Sequence, residues 1–308
     1  MEKNKKNTVA VIGAGPSGIT ACIYLARAGY FVDVFEELMP GGKVNLTATV
    51  ENYPGFTSIT GPDLAMHFYE QMQDDMVNYI NDQVLLITQQ ENEFVVQVED
   101  KTYHYYAVII ATGTKERKLE VLKAKQLENR GISYCAVCDG PLYKNKDVVV
   151  IGGGNAALEE ALYLSTFCSS VTLIHRRDTF RADEVLQSRV KKSNIITFMN
   201  SQVVELLGEE KLEGVIIENQ VTKEKIKLKV QALFPYIGQE ANTTFLSSLH
   251  ILDEKGYIEV DANKKTSIPG LLAAGDVIKK DLRQIVTATS DGAIAAMSAI
   301  QYMKENDF

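Results

Sequence analysis

The sequence predicts an α/β protein with two parallel-sheet halves, and three observations carry the prediction. The first is Thr8-Val9-Ala10-Val11-Ile12 running straight into Gly13-Ala14-Gly15-Pro16-Ser17-Gly18: a strand, a glycine turn and the start of an apolar-periodic helix that reaches Ala28. The second is a repeat of that arrangement, with Asp147-Val148-Val149-Val150-Ile151, then Gly152-Gly153-Gly154-Asn155-Ala156-Ala157, then a helix through Phe167. The third is register, because Tyr24 matches Tyr163, Leu25 matches Leu164 and Val32 matches Val171 without a gap. Each copy therefore reads as a Rossmann-like, three-layer dinucleotide-binding domain.

Bulk properties agree with two domains. A chain of 308 residues suits two units of about 100 to 200 residues each. Hydrophobic residues at 45% and charged residues at 23% are ordinary for a soluble globular protein. A net charge of −8 keeps such a surface soluble and repels phosphate backbones, so neither nucleic acid nor an anionic membrane is an expected partner. The run Met1-Glu2-Lys3-Asn4-Lys5-Lys6-Asn7 is basic but leads into a strand, not into an apolar signal core. No apolar run reaches the roughly 18 to 20 residues that span a bilayer. A cytoplasmic location is expected, where a disulfide is more often catalytic than structural.

The glycines have a specific physical purpose. Only glycine lets the backbone turn this tightly and approach a pyrophosphate, whose charge then rests on N–H groups at the helix N-terminus. In the second copy Ala157 takes the third glycine position, as the GxGxxG/A form allows. The copies diverge where the second strand ends. Glu36 lies 23 positions after Gly13 (36 − 13), and a carboxylate there accepts hydrogen bonds from ribose hydroxyls and repels a 2′-phosphate. His175 lies 23 positions after Gly152 (175 − 152) and is followed by Arg176 and Arg177, whose guanidinium groups attract a 2′-phosphate. The first copy thus suits FAD or NAD, and the second suits NADP(H).

Between the first fold and the second fingerprint stands Cys135-Ala136-Val137-Cys138-Asp139-Gly140. Two cysteines at this spacing close a small ring at a helix start, where thiol pKa values fall toward neutrality and the pair cycles readily. A zinc half-site would need a second CxxC or a histidine pair, and His67, His104, His175 and His250 supply none, so no metal is expected. A static bridge over so short a loop constrains the unfolded chain little. Cys22 and Cys168 fall in apolar helical patterns and read as small inert core residues.

With repeat and dithiol together, the chain resembles the low-molecular-weight bacterial thioredoxin reductases over essentially its whole length. The resemblance rests on the two fingerprints, on Cys135 to Asp139 and on His175-Arg176-Arg177-Asp178-Thr179-Phe180-Arg181-Ala182. It also rests on Pro40-Gly41-Gly42, Glu51-Asn52-Tyr53-Pro54-Gly55-Phe56, Ala111-Thr112-Gly113, Ala273-Ala274-Gly275-Asp276 and Arg283-Gln284-Ile285. It implies a discontinuous FAD domain, residues 1–115 and 247–308, with an NADPH domain, residues 116–246, inserted into it and carrying the CxxC. A strand-like Gly270 to Ala274 ahead of Gly275-Asp276, and a last apolar helix from about Gly292 to Tyr302, support that layout independently.

The resemblance further implies FAD contacts from Gly13, Gly15, Pro16, Ser17, Glu36, Glu37, Gly41, Gly42, Lys43, Asn52, Ala111, Thr112, Gly113, Gly275, Asp276, Arg283, Gln284 and Ile285. Asp276 would meet the ribityl or pyrophosphate region, and Arg283, Gln284 and the last helix N-terminus would lie near the flavin pyrimidine oxygen. NADPH would contact Gly152, Gly154, Asn155, Ala156, Glu159, His175, Arg176, Arg177, Arg181, Ile237 and Gly238. Cys138 would face the flavin as the charge-transfer thiolate, Cys135 would attack the disulfide of thioredoxin, and Asp139 would serve as general acid/base. Two hinges, near Thr114 to Arg117 and near Gln239 to Thr244, would let the NADPH domain rotate. Arg130, Leu142 and Tyr143 would grip thioredoxin, and a homodimer is expected on the same ground.

There are departures from the family pattern. Lys43 stands where glutamine is usual, Ala156 replaces a serine, and Pro141 replaces an aromatic residue. Rival functions are the same chemistry on another CxxC carrier, glutaredoxin-like or peroxidase-linked, and a nucleotide sensor that binds FAD and NADP(H) without turnover. A sensor has no use for Cys135, Cys138 and Asp139.

Overall fold

The computed structural model describes residues 4–308, so Met1 to Lys3 of the basic leading run lie outside the described residues. The described chain divides into two units. One comprises the residues up to Asn45 together with Val50–Lys115 and Glu240–Phe308, and the other comprises Leu46–Thr49 and Glu116–Gln239.

The first unit is built on a five-stranded parallel sheet in the order Leu271–Ala273, Val108–Ile110, Thr8–Ile12, Phe31–Phe35, Val77–Ile80. Its central strands Thr8–Ile12 and Val108–Ile110 are buried at every position, and apolar at all but Thr8, because both faces are covered. Val9, Val11, Val32 and Val34 point to the face held by the helices Pro16–Arg27 and Ile285–Glu305, where they pack with Leu25, Ala295 and Ala299. Ala10, Ile12, Phe35 and Ile110 point to the other face, which is covered by the antiparallel meander Leu86–Gln90, Glu93–Gln97, Thr102–Tyr105 through Ile87, Phe94 and Val96. Alternation of side chains along a strand produces this three-layer core, and each fully buried valine contributes about 1.5–3 kcal/mol. The helix Gly61–Met72 begins at Thr60, whose hydroxyl accepts the Asp63 N–H at 3.2 Å.

The second unit repeats the plan on a smaller scale. Its parallel sheet runs Ile196–Phe198, Ser170–Ile174, Asp147–Ile151, Ala232–Pro235. Val148, Val150, Leu173 and Phe234 pack on the helices Asn155–Ser165 and Glu184–Lys192. Val149, Ile174 and Leu233 pack on an antiparallel sheet of Ser201–Leu207, Gly214–Asn219 and Lys225–Leu228. The two stretches where the chain passes between units, Thr114–Glu116 and Gln239–Ala241, pair as a two-stranded sheet. The last helix starts at Ile285, seven residues before the expected Gly292 (292 − 285), because Gln284 and Thr287 form a capping box there. Among the described residues no helix is long and apolar enough to cross a membrane.

Candidate functional site: two dinucleotide cradles and a redox disulfide

The first fingerprint turn is fixed by close backbone contacts. Gly13 has φ +101°, and a Cβ there would lie 2.5 Å from the Ala111 carbonyl oxygen; at Gly18 it would lie 1.9 Å from the Gly13 oxygen. Gly15 differs, since it has an ordinary φ of −76° and nothing in the protein lies within 4 Å of where its Cβ would be. The protein itself therefore does not require glycine at position 15, and the backbone there is left open to approach. The helix that Gly15 caps has no side-chain cap, so no capping side chain occupies its leading N–H groups.

Around this cradle the structure gathers most of the residues expected from sequence. Glu36 accepts the Ala14 N–H at 2.8 Å through Oε2 and the Leu38 N–H at 3.0 Å through Oε1, so the carboxylate is aimed by the turn. Glu37 beside it is exposed. Gly41 donates its N–H to the Ala14 oxygen at 2.7 Å, and Gly42 sits where a Cβ would come 3.2 Å from the Gly15 Cα. Lys43 follows in the turn Gly42–Leu46 with its ammonium buried. Ala111 lies under Gly13, Thr112 donates its hydroxyl to the Asn242 oxygen at 2.7 Å, and Gly113 has φ +63°.

Ser17 is buried against Gly275, whose Cβ would meet the Ser17 Oγ at 2.4 Å, which brings Gly275-Asp276 to the first helix. Arg283 donates to the Asp276 and Ile278 carbonyl oxygens at 3.4 Å each and stacks 4.3 Å over the Tyr257 ring. Asn52 donates its amide to the Gln284 Oε1 at 3.0 Å, just before Ile285 opens the last helix.

In the second cradle Gly154 plays the part of Gly15, with open space at its Cβ position and an uncapped helix behind it. Gly152 is required sterically, because its Cβ would fall 2.6 Å from the Ala157 Cβ and 2.7 Å from the Tyr236 oxygen. Asn155 is held by Asp183, accepting its N–H at 2.9 Å and donating to its Oδ2 at 2.7 Å. Ala156 is exposed at the second helical position, and Glu159 lies a turn further on.

The ring of His175 does not project outward with the arginines. It is 5% exposed, fills the space where a Gly153 Cβ would be, 2.3 Å from its Cε1, and makes a 3.0 Å hydrogen bond between Nε2 and the Thr179 carbonyl oxygen. Burial lowers its pKa, with Arg181, Arg177 and Arg176 adding to the effect against the Thr179 hydrogen bond, which favours the neutral ring. The Arg181 N–H donates to the Gly153 oxygen at 2.7 Å and folds the loop back over the turn. The side chains of Arg176, Arg177 and Arg181 stand exposed, and no carboxylate among the described residues pairs with them. Ile237 is half-buried, while Gly238 is exposed with φ +138° and accepts the Arg117 N–H at 3.0 Å.

Within the same unit Cys135 and Cys138 form a disulfide across the helical turn Ala136–Asp139, their Cα atoms 5.3 Å apart. Cys135 Sγ accepts the Cys138 N–H at 3.0 Å, and Asp139 donates its N–H to the Cys135 oxygen at 3.1 Å. Cys138 is the more exposed of the pair, Cys135 and Asp139 being half-buried. A glycine follows for a steric reason, since a Gly140 Cβ would touch Leu164 at 2.9 Å.

Two residues that the sequence did not single out position this turn. Ser133 accepts the Cys135 N–H at 3.1 Å, and Tyr236 accepts the Ala136 N–H at 3.1 Å through a hydroxyl whose pKa burial raises. A tyrosine that must satisfy its hydroxyl inside a core was the available signal for Tyr236. Close to Tyr236 on the helix Asn155–Ser165, burial and the charge of Glu159 push Glu160 up to about 8. Leu142 is 76% exposed, Arg130 is exposed, and Tyr143 packs edge-on against Phe234 with its pKa raised by burial and by Asp139. Cys22 is buried and Cys168 half-buried, and burial pushes both thiols up, Cys168 to about 11, so neither is a ready thiolate. Among the described residues no cluster of His, Cys, Asp or Glu is arranged to hold a metal ion.

Two open glycine cradles and a CxxC disulfide define a class, the oxidoreductases that exchange electrons between nucleotide cofactors and a disulfide. Comparison with known proteins agrees. Residues 7–292 match the family model described as pyridine nucleotide-disulphide oxidoreductase. The chain is 43% identical to a thioredoxin reductase of Ureaplasma parvum, over 97% of this chain and 98% of that one. It is 41% identical to that of Bacillus subtilis, over 99% and 97%. The crystal structure of Lactococcus lactis thioredoxin reductase matches with a TM-score of 0.95 at 41% identity, covering 97% of this chain and 99% of the other. The chain belongs to the pyridine nucleotide-disulphide oxidoreductase family and, within it, to the thioredoxin reductases.

Proposed function

We propose that this chain takes electrons from NADPH and delivers them, through FAD and the Cys135–Cys138 pair, to the disulfide of a thioredoxin. The observation that carries the reading is a CxxC disulfide at the start of a short helical turn, in the same unit as an uncapped glycine cradle closed by three exposed arginines. The first unit would form the FAD domain and the second the NADPH domain, the chain returning to the first at Glu240, seven residues before the expected position 247 (247 − 240). The fit of each nucleotide is supported by Gly15 and Gly154, where nothing in the protein lies within 4 Å of a Cβ position and a dinucleotide would find room to approach the backbone.

The first cradle would hold FAD through the helix amides behind Gly15, the ribose-facing Glu36 and the Gly275-Asp276 segment packed on Ser17. The second would hold NADPH through Gly154 and Asn155, with Arg176, Arg177 and Arg181 clamping the 2′-phosphate. His175 acts as a positioning residue that seats the basic loop. The bound cofactors supply a hydride acceptor and a source of two electrons for the disulfide.

Once reduced, Cys135 is favoured as a thiolate by the Cys138 N–H that points at its sulfur. Its sulfur attacks one sulfur of the partner disulfide, forming a mixed disulfide and releasing the partner's second sulfur as thiolate. Asp139, adjacent to Cys138, supplies the proton that thiolate takes up. Cys138 then attacks Cys135 Sγ, the partner's remaining thiolate leaves, and the Cys135–Cys138 bond is restored. Leu142, four residues after Cys138, and Arg130, five before Cys135, offer an exposed apolar and an exposed cationic side chain, and the paired strands Thr114–Glu116 and Gln239–Ala241 are suited to serve as the hinge.

The test is NADPH oxidation by the flavin-loaded protein with oxidised thioredoxin, alongside Cys138→Ser. Reduction of thioredoxin should fall by on the order of 10³-fold in the variant, while NADPH still bleaches the flavin absorbance. Thioredoxin reduction surviving in Cys138→Ser, or a flavin that NADPH leaves oxidised, overturns the reading.

A further inference from the structure

Four side chains of the first unit form an unbroken line of alternating charge that ends at the cofactor cradle. Lys264 Nζ lies 2.9 Å from Asp291 Oδ1, Asp291 Oδ2 lies 3.0 Å from Lys280 Nζ, and Lys280 Nζ lies 3.2 Å from Asp276 Oδ1. Lys264, Asp291 and Lys280 are 16%, 9% and 13% exposed in their side chains, well inside the range where losing one partner strands the other. Asp276 Oδ1 is itself buried and receives no hydrogen bond, so the Lys280 ammonium is its electrostatic partner.

The line is built at a backbone cost. Lys264 has φ +64°, a left-handed conformation unusual for a lysine, in a tight turn where Asp261 accepts the Asn263 and Lys265 N–H groups at 2.9 Å each. That turn is tied to the last helix by the Ser298 hydroxyl, which donates to the Asn263 oxygen at 2.7 Å. Lys280 also reaches Thr287 Oγ1, at 3.4 Å, in the first turn of the same helix. Its ammonium therefore links the Gly275-Asp276 segment to the helix start that follows it.

We propose that Lys280 is a positioning residue for the flavin site: braced by Asp291 and Lys264, it neutralises Asp276 and holds that carboxylate where it accepts hydrogen bonds from a dinucleotide. The proposal rests on the FAD reading of the first cradle. A dinucleotide brings a doubly negative pyrophosphate, and a bare carboxylate alongside would repel it. With Lys280 in place the four groups sum to zero charge, so Asp276 keeps its acceptor capacity without the repulsion.

The test compares FAD dissociation constants, measured by flavin fluorescence on release from holoprotein, for the parent, Lys280→Met, Lys280→Arg, Asp276→Asn and the Lys280→Met/Asp276→Asn double variant. A parent that holds no FAD fails the cradle reading itself and is thereby distinguished from failure of this inference. The expected result is about tenfold weaker FAD retention in Lys280→Met, as for loss of a charged hydrogen-bond partner, with recovery in Lys280→Arg. The double variant should bind no worse than Asp276→Asn alone, because no carboxylate remains to be neutralised. Retention within about twofold of the parent in Lys280→Met overturns the proposal. So do additive losses in the double variant, or a loss matched by lowered thermal stability of the FAD-free protein, which would make the line a fold support only.

Discussion

At the end of its second strand the first fingerprint carries Glu36, whose carboxylate accepts the Ala14 N–H, whereas the second carries His175, whose ring is buried beneath Gly153. Up to that point the two turns are alike: a sterically required first glycine, an open second one, and a helix with no side-chain cap. On the function proposed above, the difference teaches that the turn would supply a generic phosphate cradle while the strand end would choose the nucleotide. In the first copy the aligned residue itself would make the choice. In the second that residue is a buried spacer, and the discrimination would move to the exposed arginines that follow it.

The largest effect that would break this comparison is loss of coenzyme choice in Arg176→Ala/Arg177→Ala. Two charge-assisted contacts to a 2′-phosphate should account for about 10²-fold in kcat/KM for NADPH, with NADH turnover nearly unchanged because NADH lacks that phosphate. Steady-state rates with both coenzymes decide it. An equal fall with NADH would show that the loop shapes the cradle and does not read the phosphate.

A smaller effect concerns the third position of each turn. A Cβ at Gly18 would sit 1.9 Å from the Gly13 oxygen, while Ala157 is accommodated with its methyl against Gly152. Gly18→Ala should therefore destabilise its unit by about 1–3 kcal/mol through overpacking, with visible FAD loss. Ala157→Gly should cost about 1 kcal/mol through helix propensity, with the fold of the turn intact. Denaturant unfolding of the two variants measures both. Equal costs would mean that a small backbone shift relieves the 1.9 Å approach at Gly18.

What was legible in the sequence was local. Strand, glycine turn, helix and the residue 23 positions on are all fixed by near-neighbour geometry, and each of these lies where the spacing placed it. The start of the last helix was missed because Ile285, Val286, Thr287 and Thr289 are β-branched and read poorly as helix, yet the Gln284–Thr287 capping box and burial against the sheet outweigh propensity. Ser133 and Tyr236 escaped notice for another reason. Tyr236 meets Ala136 across 100 residues of sequence, and only the fold brings such a pair together. The charged line from Lys264 to Asp276 is of the same kind, since each lysine alone reads as a solvated surface residue.

The smallest prediction sharpens the comparison at the second helical position, where Ser17 of the first copy corresponds to Ala156 of the second (156 − 17 = 152 − 13). Ser17 is buried against Gly275, whereas Ala156 is exposed at the mouth of its cradle. A hydroxyl added by Ala156→Ser would therefore be free to donate to the nucleotide pyrophosphate. That should tighten NADPH binding by roughly 2- to 10-fold, the worth of one net hydrogen bond. Because the pyrophosphate is common to both coenzymes, NADH should gain by a similar factor, unlike the arginine pair, which separates them. Equilibrium titration of each coenzyme against parent and variant reads this directly. An unchanged or weaker NADPH dissociation constant would instead assign serine at this position a packing role, the one Ser17 fills beneath Gly275, and would leave the amides behind Gly154 as the main phosphate donors of the second cradle.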